Sequence, residues 1–296
     1  MRNAFIQELV NLARQHPQIA LIVGDLGYSV IEPFADEFPD RFINAGVAEQ
    51  NMTGMAAGMA SEGYHVFTYS IANFPTFRCA EQIRNDVAYH NLPVTVVSVG
   101  GGLAYGALGY SHHAVQDYAL MRTLPNVLIA APGDPMEVRA CMRYLVNNPG
   151  PSYLRLGKAG EPNFHSAPPN VEPGRWLLIR AAEDRCKEKR ALLSTGAGLQ
   201  IAMEWRNQQQ HSNFDVYTMP LWSMFDKSIQ AERLASFAEI ITIEDHLQDG
   251  GFGSWMLEAR ALLGTPGLVS PVALSPLVCG TVGSQSMLNK LGGILP

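Results

Sequence analysis

Residues 94–113 read VTVVSVGGGLAYGALGYSHH. The first six are mostly β-branched with no charge among them, the pattern of a strand buried on both faces in a parallel sheet. Glycines at 100, 101, 102, 106 and 109 then permit positive φ and close backbone approach. A strand that runs through such a loop toward a helix marks the place where ligands bind in open α/β sheets. The spacing is not the G-x-G-x-x-G of a dinucleotide fingerprint, and the loop is too long for one. His112 and His113 close the stretch. As sequence neighbours they do not readily share a preformed metal site. Two readings remain: one of them faces a polar cleft, or a histidine caps the next helix.

Similar apolar runs stand at 20–23 (ALIV) and 127–131 (VLIAA), with helix-period segments near 3–15, 49–62, 76–90, 114–123 and 134–147. This βαβ alternation predicts a doubly wound sheet. Residues 158–174 are proline-rich and without periodicity, which reads as a linker. Beyond them strands are expected near 191–194, 214–218 and 239–243, and the turn Asp249–Gly253 leads to a helix near 254–263. The fold class expected is α/β with two doubly wound domains, over 1–160 and 176–296, joined by a linker at 161–175.

The 296 residues carry a net charge of −6 and no basic block, which argues against nucleic acid or an anionic membrane surface as partner. No run of 18 apolar residues occurs, so no spanning helix is expected, and the N-terminus lacks the apolar core of a signal peptide. Cys79, Cys141, Cys186 and Cys279 are scattered, with no CxxC spacing. They argue against a metal or disulfide framework and for a cytoplasmic location with reduced thiols. Charged residues are only 16% of the chain, so surface buried against other subunits is weighed beside a compact enzyme.

Two further segments carry candidate chemistry. In Phe42-Ile-Asn-Ala-Gly-Val-Ala-Glu49-Gln-Asn-Met52 a short strand passes a glycine into a helix that opens on Glu49. That helix holds Gly54, Ala56, Ala57, Gly58 and Ala60, small residues suited to tight packing across a subunit interface. The bland alternative for Glu49 is a solvated acid favouring the helix dipole. In Asn73-Phe74-Pro-Thr-Phe77-Arg78-Cys-Ala-Glu81-Gln82-Ile-Arg84-Asn85-Asp86, aromatics before a polar helix stack on a planar ring or belong to the core.

In this order the segments resemble the pyrimidine-binding and C-terminal domains of transketolases, above all the C-terminal subunits of split-gene transketolases, over essentially the whole chain. Gly46-Val-Ala-Glu49-Gln50 is similar to the family's catalytic glutamate motif. Ser111-His112-His113 falls where the family has Thr-His-Gln, and Glu81-Gln-Ile-Arg-Asn85 matches the helix behind the pyrimidine pocket. Glu244-Asp-His246 with Gly250-Gly-Phe-Gly253 looks like the C-terminal domain signature.

The resemblance implies thiamine diphosphate as cofactor, activated through a hydrogen bond from Glu49, whose burial by cofactor and partner is expected to keep a proton on it. It places Asp25, Leu26, Phe74, Phe77 and Arg78 around the cofactor, with Phe74 the first choice for stacking on the pyrimidine. His112 is implied to contact the donor and assist proton transfer. Arg2, Ser29, His113 and Lys158 fall with it at substrate positions, where cations and a hydroxyl suit a sugar phosphate. Gly100 stands in place of a phosphate-contacting histidine and Leu108 in place of an aspartate, so a more apolar acceptor pocket is expected. The chain has no Gly-Asp-Gly motif. The diphosphate and Mg²⁺ are therefore expected on a separate N-terminal subunit in an α₂β₂ assembly, with no metal ligand in this chain. The implied activity is transfer of a two-carbon ketol unit from a ketose (phosphate) to an aldehyde acceptor. The alternatives are the β subunit of a 2-oxo acid dehydrogenase E1 component and a non-catalytic paralogue.

Overall fold

The computed structural model describes residues 1–184, 188–264 and 267–296, so Cys186 lies outside the described residues. Twelve strands form among them: β1 (Ile19–Val23), β2 (Phe42–Asn44), β3 (His65–Ile71), β4 (Val94–Val99), β5 (Leu128–Ala130), β6 (Ser152–Leu156), β7 (Leu177–Arg180), β8 (Arg190–Ser194), β9 (Asp215–Thr218), β10 (Leu221–Trp222), β11 (Glu239–Leu247) and β12 (Leu268–Leu274). They make two sheets, ordered β10-β5-β6-β4-β3-β1-β2 and β12-β11-β8-β9-β7. Each is parallel except at one edge, where β10 runs antiparallel to β5 and β7 antiparallel to β9. The α/β class with two parallel-rich sheets is as expected.

Alternate residues of the central strands explain why both faces must be covered. Leu21, Val23, Val97 and Val99 face a core shared with the helices Arg2–Gln15 and Pro135–Asn147. Ile22 and Val96 face the other way, onto the helix Glu49–Ser61. A strand apolar on both sides has no water-facing edge of side chains, which is the reason the six-residue run of β4 reads as it does. No helix among the described residues is long and apolar enough to cross a membrane.

Two departures from expectation have physical causes. The helix expected over 76–90 breaks into a 3₁₀ turn at Phe77–Cys79, one α turn at Ala80–Gln82 and a π-helical stretch at Ile83–Ala88. Such stretches of wide turns accumulate where a site constrains the helix. Second, β10 follows the linker in sequence yet completes the first sheet, pairing Leu221 with Ala130 and Trp222 with Ile129. A two-residue strand is too short to show a period.

The two sheets are locked by Arg155 of β6, whose guanidinium is buried. It donates to Asp117 Oδ2 (2.7 Å), to Asp245 Oδ1 on β11 (2.6 Å) and to the Ala114 carbonyl (2.8 Å). Burial alone would lower the Arg155 pKa, but the two carboxylates overcome this and hold it well above its ordinary value. A Cβ on Gly101 would overlap the Arg155 guanidinium, and one on Gly102 the Asp245 carboxylate. Two glycines of the loop after β4 thus make room for this cluster rather than for a ligand.

The second glycine-rich turn is also filled from within. The buried Glu244 carboxylate accepts from Phe252 N (2.6 Å) and Gly253 N (2.7 Å), at the start of the helix Phe252–Leu263. It satisfies amides that a helix start leaves unpaired. Desolvation nevertheless pushes Glu244 up to about 8, against those two hydrogen bonds, and buried Glu137 up to about 7.

Two outcomes are expected. Arg155→Met leaves Asp117 and Asp245 buried without a counter-charge and should destabilise the chain by about 3–5 kcal/mol in urea unfolding, with Asp245→Asn restoring part of the loss. An acid whose folded pKa exceeds its unfolded value, here the ordinary 4.5 of Glu244, binds more protons folded than unfolded. Stability should therefore fall as pH rises from about 5 to about 8.5, and Glu244→Gln should flatten that slope in thermal melts. Equal slopes for both proteins would refute this origin.

Candidate active site

Glu49 is placed by the turn out of β2. Gly46 adopts φ +72°, and Asn44 Oδ1 accepts from Gly46 N (3.0 Å) and Asp25 N (3.1 Å), tying the loop after β1 to this turn. Glu49 then begins its helix at only 2% exposure. Its Oε2 accepts from Arg78 Nη1 at 2.8 Å, and Arg78 itself is half exposed. A Cβ on Gly24 would lie 3.7 Å from Glu49 Cγ and 3.6 Å from Ser70 Oγ, a buried hydroxyl with no partner. Gly24 thus leaves open the space between the Glu49 stem and this hydroxyl.

From Arg78 a continuous row of contacts runs across the mouth of the first sheet. Arg78 Cζ lies 5.2 Å from the Phe74 ring centroid, and the Phe74 and His112 rings meet edge to face at 5.3 Å. His112 and Tyr105 follow at 6.4 Å, and Lys158 Nζ is 5.2 Å from the Tyr105 ring. Arg2 Nε donates to the Lys158 carbonyl at 2.8 Å. Beside this row an open cleft of about 760 Å³ is lined by Asn73, Phe74, Phe77, Arg78, Tyr110 and Ser111, with Gln116. Phe77, 48% exposed, presents its ring there.

The two histidines diverge. His112 is half-buried, its Nδ1 bonded to Ser111 Oγ (3.0 Å). His113 is fully buried, its Nε2 3.2 Å from the Gly106 carbonyl, so the structure places it inside the loop rather than at the cleft. Asn73 Nδ2 donates to the His113 carbonyl (2.6 Å) and the Ser111 carbonyl (3.3 Å), which pins the loop that presents His112.

The loop after β1 carries Asp25, Leu26 and Ser29. Asp25 (φ 54°) and Ser29 (φ 65°) are non-glycine residues in the left-handed region, in an exposed segment. Such strain gathers at ligand clamps. Asn44 Nδ2 and the Tyr28 hydroxyl donate to the Asp25 carboxylate and hold its pKa below the ordinary value. Leu26 is half-buried against the core, and Ser29 N donates to Glu32 Oε1 (2.7 Å).

Glu49, Arg78, Phe74, His112, Lys158 and Arg2 are thus brought into one file, with Phe77 at its side and the Asp25 loop tethered through Asn44. Sequence reasoning assigns no role to Tyr105, Asn44 or Asn73. Only Tyr105 carries a signal, as a lone aromatic within the glycine-rich loop.

The pattern of the family described as "Transketolase, pyrimidine binding domain" matches residues 1–160. An apulose-4-phosphate transketolase subunit of Phocaeicola vulgatus is 32% identical over 260 residues, covering 87% of this chain and 82% of that protein. A putative transketolase C-terminal section of Methanocaldococcus jannaschii is 30% identical over 298 residues, covering 99% and 92%. A solved split-gene transketolase, described as an inactive β4 tetramer, superposes with a TM-score of 0.84 at 30% identity, covering 99% of this chain and 93% of that one. With this coverage from end to end, the chain belongs to the transketolase family.

Proposed function

We propose that this chain is the pyrimidine-side subunit of a two-component, thiamine-diphosphate-dependent transketolase that moves a two-carbon ketol unit from a ketose, free or phosphorylated, to an aldehyde acceptor. One observation carries the reading: Glu49 is buried and bonded to Arg78, which lines an open cleft together with Phe74 and Phe77. A planar heteroaromatic ring with an acceptor nitrogen fits that combination of aromatic faces and a recessed carboxyl. When bound, thiamine diphosphate supplies a carbon nucleophile that takes up the ketol unit.

The chain's own residues then divide the remaining work. Glu49 would hydrogen-bond the ring nitrogen, and Arg78 fixes the carboxyl's orientation. Phe74, with Phe77 second, would stack on the ring, and Asp25 and Leu26 of the strained loop would line the cofactor. His112, its Nδ1 bonded to Ser111, has no partner on Nε2 among the described residues and exchanges a proton with the substrate's hydroxyl oxygen there. Lys158 and Arg2 meet an anionic end of the substrate, with Ser29 as a hydroxyl donor. His113 holds the loop.

We assign the diphosphate and Mg²⁺ to an N-terminal partner subunit in an α₂β₂ heterotetramer, in line with the split relatives that match this chain from end to end. Around Glu49 the surface suits such a partner. A Cβ on Gly54 or Gly58 would meet nothing within 4 Å, and Val47, 74% exposed, flanks the carboxylate's helix. The solved relative described as an inactive β4 tetramer fits a half-site that lacks its other half. We assign residues 1–160 to the pyrimidine-binding domain, 161–175 to the linker and 176–296 to the C-terminal domain. A cytoplasmic location accords with free Cys79, Cys141 and Cys279.

The test is reconstitution with the diphosphate-binding subunit, thiamine diphosphate and Mg²⁺, assayed for ketol transfer. Glu49→Gln should lower turnover by roughly 10²–10⁴-fold while the assembly still forms. Near-native turnover would remove Glu49 from the mechanism, and decarboxylation of a 2-oxo acid without ketol transfer would favour the dehydrogenase subunit.

A further inference from the structure

Tyr105 stands between His112 and Lys158 in the file of contacts that starts at Glu49. Its ring lies against Gly100. Gly100 (φ +82°) has no room for a side chain, because a Cβ there would overlap the Tyr105 ring. The loop therefore gives up a side chain at Gly100 to seat this one. The ring is only half-buried, in contrast to the fully buried Tyr69 and Tyr118, so one part of it remains accessible. Its hydroxyl has no hydrogen-bond partner among the described residues. Lys158, exposed above the ring, has no carboxylate partner among them either, and Arg2 is tied to the Lys158 carbonyl. An aromatic ring thus holds an unpaired ammonium 5.2 Å away on one side and a proton-transfer histidine 6.4 Å away on the other.

We propose that Tyr105 is a substrate-contacting specificity residue, which packs against the carbon chain of a short phosphorylated sugar between its reacting end at His112 and its phosphate at Lys158. This rests on the ketol-transfer reading above and extends it to the class of substrate. The ring face covers C–H bonds of the carbon chain. The hydroxyl donates to the phosphate or to the hydroxyl next to it, and the cation–π contact holds Lys158 at the distance where that phosphate arrives. No cation other than Lys158 and Arg2 is needed for the charge, since an ionised acceptor roughly doubles the strength of each hydrogen bond.

The experiment uses the reconstituted two-subunit holoenzyme with ribose 5-phosphate and ribose as probes. Calorimetric binding and acceptor kinetics are measured for wild type, Tyr105→Leu, Tyr105→Phe and Lys158→Met. Tyr105→Leu should weaken ribose 5-phosphate binding and raise its KM about tenfold, with kcat falling less and thiamine diphosphate affinity unchanged. Tyr105→Phe should show roughly a threefold effect confined to the phosphorylated probe, and Lys158→Met should abolish discrimination between the two probes. The proposal is overturned by equal binding of the two probes to wild type. It is also overturned if Tyr105→Leu and Tyr105→Phe leave KM unchanged, or if Tyr105→Leu lowers cofactor affinity or kcat alone, the mark of a loop prop. Absence of ketol transfer by wild type would sink the functional reading by itself, and the calorimetric comparison would still decide Tyr105.

Discussion

The Arg155 cluster is the constraint on which the rest of the molecule turns. Two carboxylates and a guanidinium, all withdrawn from water, are tolerable only while every member keeps its partners. Asp117 stands on the short helix that follows the His112 loop, Asp245 on β11 of the second sheet, and Arg155 on β6 of the first. The orientation of one sheet on the other and the course of the glycine-rich loop are thus settled by the same three side chains. The Ala114 carbonyl, also bound by Arg155, anchors the loop one residue past His113. So stiff a mount holds the loop that carries His112 in one place.

The glycines look different in this light. In the stretch after β4, Gly100 seats Tyr105, Gly101 clears Arg155 and Gly102 clears Asp245. In the turn before the last long helix, Gly251 clears Glu244 and Gly253 clears Pro271 and Thr242. Runs of this kind suggest cradles for phosphate, yet here the protein's own side chains occupy them. The anion expected at the helix start is present. It is a carboxylate supplied by the neighbouring strand.

What can be read in the sequence follows from the range of the interactions involved. β4 and the helix opening on Glu49 are written in local patterns, a run of β-branched residues and a strand–glycine–helix passage, so they are legible. Glu49, Phe74, Phe77, Arg78 and His112 emerge through motif resemblance, and the fold brings them together. Arg155 and Asp245 stand 90 residues apart, and no local period couples them. Tyr105 is hidden because its role depends on the missing side chain of Gly100. Its place beside His112 puts His113 with the substrate on paper, but adjacent residues at the end of a 3₁₀ turn point apart, and this one points inward. The π-helical stretch reads as plain helix because its apolar spacing differs little over six residues.

The two-residue strand β10 has a consequence for any attempt to dissect the chain. It lies beyond the linker, yet it caps the outer hydrogen-bonding edge of β5. A fragment cut at the linker would bare that rim of unpaired amides and carbonyls, beside an apolar face that Trp222 normally covers. Exposed rims of this kind recruit strands from other molecules. The second half of the chain thus serves the first as a stopper against self-association, and the two are separable on paper only.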